Sequence, residues 1–155
     1  MQFAIGDTII FSYNGERSHD PTPRILVIHN DWQSLVHGLS LNVLTDQETN
    51  YLKAVVYPTL AADIMKKDPR IRQELTRIKH QLPHMNIYSP RDFYVRFLKT
   101  FIRRYDSYRL YKPMSMSNVK VLTKRKDLVG DQKDKGLFDK YVDRVKGQTG
   151  PKFQH

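Results

Sequence analysis

Val36-His37-Gly38-Leu39-Ser40-Leu41-Asn42-Val43-Leu44-Thr45-Asp46-Gln47-Glu48 is the stretch in which the chain changes its period. Up to Val43 the apolar residues Leu39, Leu41 and Val43 alternate, as they do along one face of a β-strand. From Thr45 the spacing is helical. Thr45 and Glu48 stand in capping-box order, in which each side chain satisfies a free backbone donor of the other. A strand over 36–43 therefore hands over to a helix, and an α+β fold follows. Gly38 inside that strand predicts a bend or a close approach of its backbone to a neighbour.

Upstream, Thr8-Ile9-Ile10-Phe11 follows Gly6-Asp7, and Arg24 to His29 follows the breaker Asp20-Pro21-Thr22-Pro23. Prolines there favour an extended or turning backbone, so both runs read as strands. Three short strands joined by polar turns predict a small curled sheet, with Trp32 covering its open end.

Downstream, Leu52, Val55, Val56 and Leu60 continue the helical stripe, and Pro58, lacking an amide donor, kinks or divides it. Asp68-Pro69 opens a second helix, with Ile71, Leu75 and Ile78 on one face. Ser89-Pro90 opens a third, with Asp92 near its positive end. Phe93, Phe97 and Phe101 line one stripe of that helix and Tyr94, Leu98 and Ile102 the next, so it is predicted to be the central one.

Tyr108 to Lys112 and Asn118 to Thr123 read as two further strands, separated by Pro113-Met114-Ser115-Met116-Ser117. If they return to the N-terminal sheet they close it, with strands from 3–44 and 106–123 on either side of a helical insertion over 45–105. A barrel over residues 1–123 would leave no exposed strand edge.

Residues 124–155 are polar, with nine basic and five acidic side chains, and read as a basic C-terminal tail. Within it Leu137, Phe138, Tyr141, Val142 and Val145 fall at helical spacing, an amphipathic stripe too short to be stable alone. It docks either on its own domain or on a neighbouring subunit.

Charge is distributed unevenly. Between Tyr88 and Lys126 there are eleven Lys and Arg residues against Asp92 and Asp106, so this segment holds nine of the ten net positive charges. Arg96, Lys99, Arg103 and Arg104 share the polar face of the third helix, and Arg109, Lys112 and Lys120 extend the series. Such a face is either simply solvated or meets an acidic partner, whether a nucleic acid backbone or an acidic protein surface. The interleaved aromatics, Tyr108 and Tyr111 among them, suit base stacking or protein contact equally.

With 155 residues and no cysteine, the chain is expected to form one domain held by packing, without disulfides, thiolate metal sites or a cysteine nucleophile. Its apolar runs are far shorter than the ~20 residues that span a bilayer. Neither a signal peptide nor a membrane partner is expected, and synthesis in a host cytoplasm is.

Catalytic and metal motifs are weak. His80 and His84 are four apart, but Pro83 breaks the helix between them. His29, Asp31 and His37 are near in sequence across a strand connection, without a spacing that requires them to meet. The remaining histidines are His19 and His155. Glu16, Arg17, His19 and Asp20 share a loop of ribonuclease-like composition that Asn14-Gly15 and Asp20-Pro21 already explain as a turn. There is no phosphate-binding glycine loop and no nucleophile elbow. No catalytic residue, no metal and no cofactor is expected.

Two resemblances add to this. Gly6-Asp7-Thr8-Ile9-Ile10-Phe11 and Pro23-Arg24-Ile25-Leu26-Val27-Ile28 resemble the opening strands of SH3-like barrels, including PemK-type toxin endoribonucleases, whose catalytic arginine and acid find no matching positions here. His37-Gly38-Leu39-Ser40-Leu41-Asn42, the helical middle, Tyr108-Arg109-Leu110-Tyr111 and Val119-Lys120-Val121-Leu122 resemble a group of small proteins encoded by large tailed bacteriophages. The first implies an SH3-like barrel carrying the helical insertion. The second implies a place in phage particle architecture or DNA handling.

Three functions are therefore expected in order. The first is a non-enzymatic adaptor of a tailed-phage virion, binding other virion proteins in a symmetric oligomer through the tail stripe. The second is a DNA-binding or RNA-binding protein using the basic series. The third is an endoribonuclease in which Arg17, His19 and Asp20 would act.

Overall fold

The computed structural model describes residues 3–15, 20–30, 35–81, 90–125 and 152–154. In chain order the elements are β1 (Thr8–Tyr13), β2 (Arg24–Asn30), β3 (Val36–Ser40), α1 (Asp46–Val56), α2 (Pro58–Lys67), α3 (Pro69–Gln81), α4 (Pro90–Tyr105), β4 (Tyr108–Tyr111), a 3-10 turn (Pro113–Ser115), β5 (Met116–Thr123) and β6 (Lys152–Gln154). The fold is α+β, with helices α1 to α4 between β3 and β4.

Local signals set the helix boundaries. Glu48 N–H donates to Thr45 Oγ1 at 3.1 Å, and Thr45 N–H donates to Glu48 Oε1 at 2.9 Å. Pro58 divides the stripe, because α1 stops at Val56 and Pro58 takes the first turn of α2, where its missing donor costs nothing. Asp68 closes α2, and its Oδ1 accepts from Arg70 N–H at 3.2 Å as Pro69 opens α3.

The strands pair in the order β5-β1-β2-β3-β4-β6. The five from β5 to β4 are antiparallel to their neighbours, and β6 is parallel to β4. Both late strands return to the N-terminal sheet as expected, but on opposite flanks. The sheet is open, since among the described residues no pairing joins its two ends.

Chain connectivity makes this sheet curl. In a flat sheet β4 and β5, four steps apart in the strand order, would be separated by roughly 19 Å at about 4.8 Å per step. The link from Tyr111 to Met116 contains a 3-10 turn, and even fully extended it would reach only about 17 Å. The curl is visible in ring contacts between β1 and β4, which are not hydrogen-bonded neighbours. Tyr111 meets Phe11 at 5.1 Å and Tyr13 at 5.0 Å, both edge to face. Lys112 N–H donates to Tyr13 Oη at 3.1 Å across the same gap.

Curling divides the apolar residues into two cores. Ile9, Phe11 and Tyr13 of β1, Ile25 and Val27 of β2, Val36, Tyr111 and Met116 fill the concave side. Leu26 and Ile28 of β2, with Leu39, Tyr108 and Leu110, meet Leu52, Val55, Ile71, Phe97, Phe101 and Ile102 of the helices on the convex side. That is why β2 reads as the unbroken apolar run Ile25-Leu26-Val27-Ile28, buried on both faces. The helical segment and the sheet share the second core, and α4 contributes its Phe97, Leu98, Phe101 and Ile102 to it.

All five expected strands differ from expectation at a boundary, β1 running on to Tyr13 and β2 to Asn30. β3 ends at Ser40: Leu41 N–H still reaches Arg24 O, at 2.8 Å, but the chain then turns, leaving Val43 exposed. β4 ends at Tyr111, where the 3-10 turn begins to form. β5 starts two residues early, at Met116, and accommodates Asn118 at φ 54° beside a register shift opposite Ile10 to Ser12. Trp32 lies outside the described residues.

Candidate interaction site

β4 is short, yet it pairs along both edges. On one side Val36, His37, Gly38 and Leu39 of β3 run antiparallel to it, and on the other Lys152, Phe153 and Gln154 of β6 run parallel, opposite Arg109, Leu110 and Tyr111. The far C-terminal segment is thus held on its own sheet by main-chain pairing. Three residues carry too little period to be read as a strand from sequence, which is why β6 was not expected. Leu137, Phe138, Tyr141, Val142 and Val145 lie outside the described residues.

The basic series is spread over several elements. Arg96, Lys99, Arg103 and Arg104 are on α4, Arg109 is on β4, Lys112 follows it, and Lys120 is on β5 at the opposite flank of the strand order. Arg104 and Arg109 are engaged inside the chain. Arg104 Nη1 lies 3.7 Å from Glu74 Oε2, and its guanidinium sits 5.2 Å over the ring of Tyr105. Arg77 Nη2 holds the same Glu74 oxygen at 2.6 Å. Arg109 Nη1 donates to the carbonyls of Asp106 at 2.8 Å and Tyr108 at 3.0 Å, bracing the turn in which Asp106 takes φ 50°. Arg103, Lys112 and Lys120 are exposed.

Of the histidines, His29 and His37 do meet, as neighbours in the β2–β3 ladder with rings 5.0 Å apart. His37 is buried, and its Nδ1 is 2.5 Å from Tyr108 Oη, a satisfied polar contact inside the convex core. Burial holds the Tyr108 hydroxyl well above its ordinary range, so it stays protonated and can donate. Asp31, His19, His84, His155, Glu16 and Arg17 lie outside the described residues, as does the side chain of His80. Asp20 serves a turn: its carboxylate accepts from Thr22 N–H at 3.2 Å and from Asn42 Nδ2 at 2.7 Å. Among the described residues no group of three or more His, Asp or Glu is placed to hold a metal ion. Among them, too, no helix is long and apolar enough to cross a membrane.

One buried polar knot escaped the sequence reading. Asp7 Oδ2 accepts from Ala4 N–H and Oδ1 from Arg125 N–H, both at 2.9 Å, while Arg125 Nε donates to Val56 O at 3.3 Å. Tyr57 Oη lies between Gly6 O and Thr8 Oγ1, and burial pushes that hydroxyl up to about 12. Contacts between residues so distant in sequence leave no local pattern. The residue types match a structural lock: each named polar group finds a protein partner.

The chain matches no protein-family model, no curated protein and no solved structure.

Proposed function

We propose that this protein is a non-enzymatic adaptor that joins neighbouring subunits, working in a tailed-phage particle as the sequence resemblance implies. The observation that carries the reading is the β4–β6 ladder, in which a sheet edge takes up a distant extended segment. Strand addition of this kind draws its affinity from main-chain hydrogen bonds and makes few demands on side chains, which suits a joint between subunits. The same segment supplied by a neighbouring copy would make the same bonds, and the stripe Leu137, Phe138, Tyr141, Val142 and Val145 would add apolar contact. In this reading the curled sheet is an SH3-like barrel, the helices its insertion, and residues 124–155 the connecting tail. The curl that brings β4 and β5 to either end of a short link supports that architecture.

Mass spectrometry of purified particles tests it, with copy number measured against the major capsid protein. A fixed copy number that fits a symmetric ring or shell is expected, together with loss of incorporation when residues 152–154 are deleted. Absence from particles would overturn the reading and favour nucleic acid binding through Arg103, Lys112 and Lys120, whose exposure is the observation behind that alternative. Binding of that kind weakens steeply with salt, because each neutralised phosphate releases counterions.

A further inference from the structure

Apart from the strand ladder, the start of β2, the exit of β3 and one face of α1 frame a cavity of about 320 Å³. That is within the size range of small-molecule sites. Asp46, Thr49 and Lys53 line it from α1, at the steps of three and four residues that share a helix face, and Arg24 and Asn42 line it from the sheet side. Leu41 N–H, donating to Arg24 O at 2.8 Å, holds the two strand ends side by side.

The cavity gathers two cations that are not used inside the chain. Among the described residues neither Arg24 nor Lys53 forms an ion pair, and Asp46, the carboxylate on the same wall, forms none. Arg24 brings a planar fork of donors and Lys53 a compact charge, a combination suited to a phosphate. Asn42 is fixed beside them, its Nδ2 donating to Asp20 Oδ2 at 2.7 Å and to Thr22 O at 3.1 Å. Both amide hydrogens are spent, and its Oδ1 keeps the capacity to accept. The same bond, with one from Thr22 N–H, occupies the Asp20 carboxylate. Acceptors at Asp46 and Asn42 beside two donor cations match a ligand that carries hydroxyl groups as well as an anion, and Leu41 and Leu44 add an apolar surface.

We propose that the cavity binds a small phosphorylated sugar. The phosphate lies between Arg24 and Lys53, the sugar hydroxyls donate to the Asp46 carboxylate and Asn42 Oδ1, and the carbon face of the ring packs against Leu41 and Leu44. The site does not depend on the adaptor reading.

Calorimetric titration of the full chain with glucose 6-phosphate tests the proposal, with glucose and inorganic phosphate in parallel and sodium chloride holding the ionic strength constant. Saturable binding at or below about 1 mM is expected for glucose 6-phosphate, about tenfold or more tighter than for either fragment. Arg24→Gln should weaken glucose 6-phosphate and inorganic phosphate alike, by about tenfold or more. Asp46→Ala should instead erase most of the advantage of the sugar phosphate over inorganic phosphate, a split that general damage to the fold would not produce. Both side chains are exposed, so both variants should melt within a few degrees of the parent. No saturation, equal affinity for glucose 6-phosphate and inorganic phosphate, or affinities unchanged in both folded variants would overturn the proposal.

Discussion

Tyr57 donates its hydroxyl proton to the carbonyl of Gly6 at 2.6 Å, across 51 positions of sequence. The same oxygen lies 2.9 Å from Thr8 Oγ1. Gly6 takes φ 90°, and a Cβ there would lie 2.1 Å from Arg125 Cδ, so the backbone passes directly against the arginine stem. One tyrosine at the α1–α2 junction thereby ties the start of β1 to the helical layer. Asp7 ties the same start to Arg125 beyond β5.

Tyr57→Phe keeps the ring and strands the Gly6 carbonyl and the Thr8 hydroxyl without their shared partner. The expected loss is about 1–3 kcal/mol by urea unfolding. Tyr51→Phe, which removes a buried hydroxyl with no partner among the described residues, should cost far less or stabilise slightly. Equal losses in the two variants would refute the assignment of the bond.

Stability should fall in strong alkali. A tyrosine ionises near 10.0 when unfolded, and Tyr57 in the fold does so near 12. The folded state therefore holds the proton more tightly, and this contribution is complete below pH 10 and lost as pH rises towards 12. Tyr51, Tyr108 and Tyr111 are shifted in the same direction, each chiefly by burial, so their losses add. Urea midpoints should be flat up to about pH 9 and then drop, with tyrosinate absorbance appearing together with unfolding.

Gly38→Ala should destabilise the concave core by about 1–3 kcal/mol, because the new Cβ would lie 2.5 Å from Ile25 Cδ1 and 2.9 Å from its Cβ. Ile25→Val deletes the nearer atom. On its own that change leaves a small void, costing about 0.5–1.5 kcal/mol. Combined, the two should cost less than their sum in a double-mutant cycle. Strict additivity would mean that the two side chains do not meet.

Thr45→Ala removes the acceptor for Glu48 N–H and is expected to cost about 1 kcal/mol. Thr45→Ser retains an acceptor and should recover most of that. A thermal melt of the pair distinguishes a cap from a packing effect.

The helix start at Thr45, the division at Pro58 and the opening of α3 at Asp68-Pro69 were legible because each rests on bonds between residues a few positions apart. Most of the strand cores were legible for a related reason, since side-chain period is a local property. The exit of β3 was not, because what holds Leu41 is the carbonyl of Arg24 on another strand. The basic series shows the same divide. Its concentration between Tyr88 and Lys126 is plain in the sequence, while the engagement of Arg104 with Glu74 and of Arg109 with its own turn depends on how α3, α4 and β4 meet.

The sequence by itself determined an α+β chain: where strands give way to helices, which residues cap those helices, and that β2 is apolar throughout. Tertiary structure alone decided that β4 and β5 return to opposite flanks, that a short link curls the sheet until Phe11 and Tyr13 meet Tyr111, and that Gly6, Tyr57 and Arg125 converge. The reason is range. Caps and periods are energies between near neighbours, whereas strand order and buried polar pairing are chosen by which arrangement buries both faces of β2 and pairs the groups of Asp7, Tyr57 and Arg125 that it encloses.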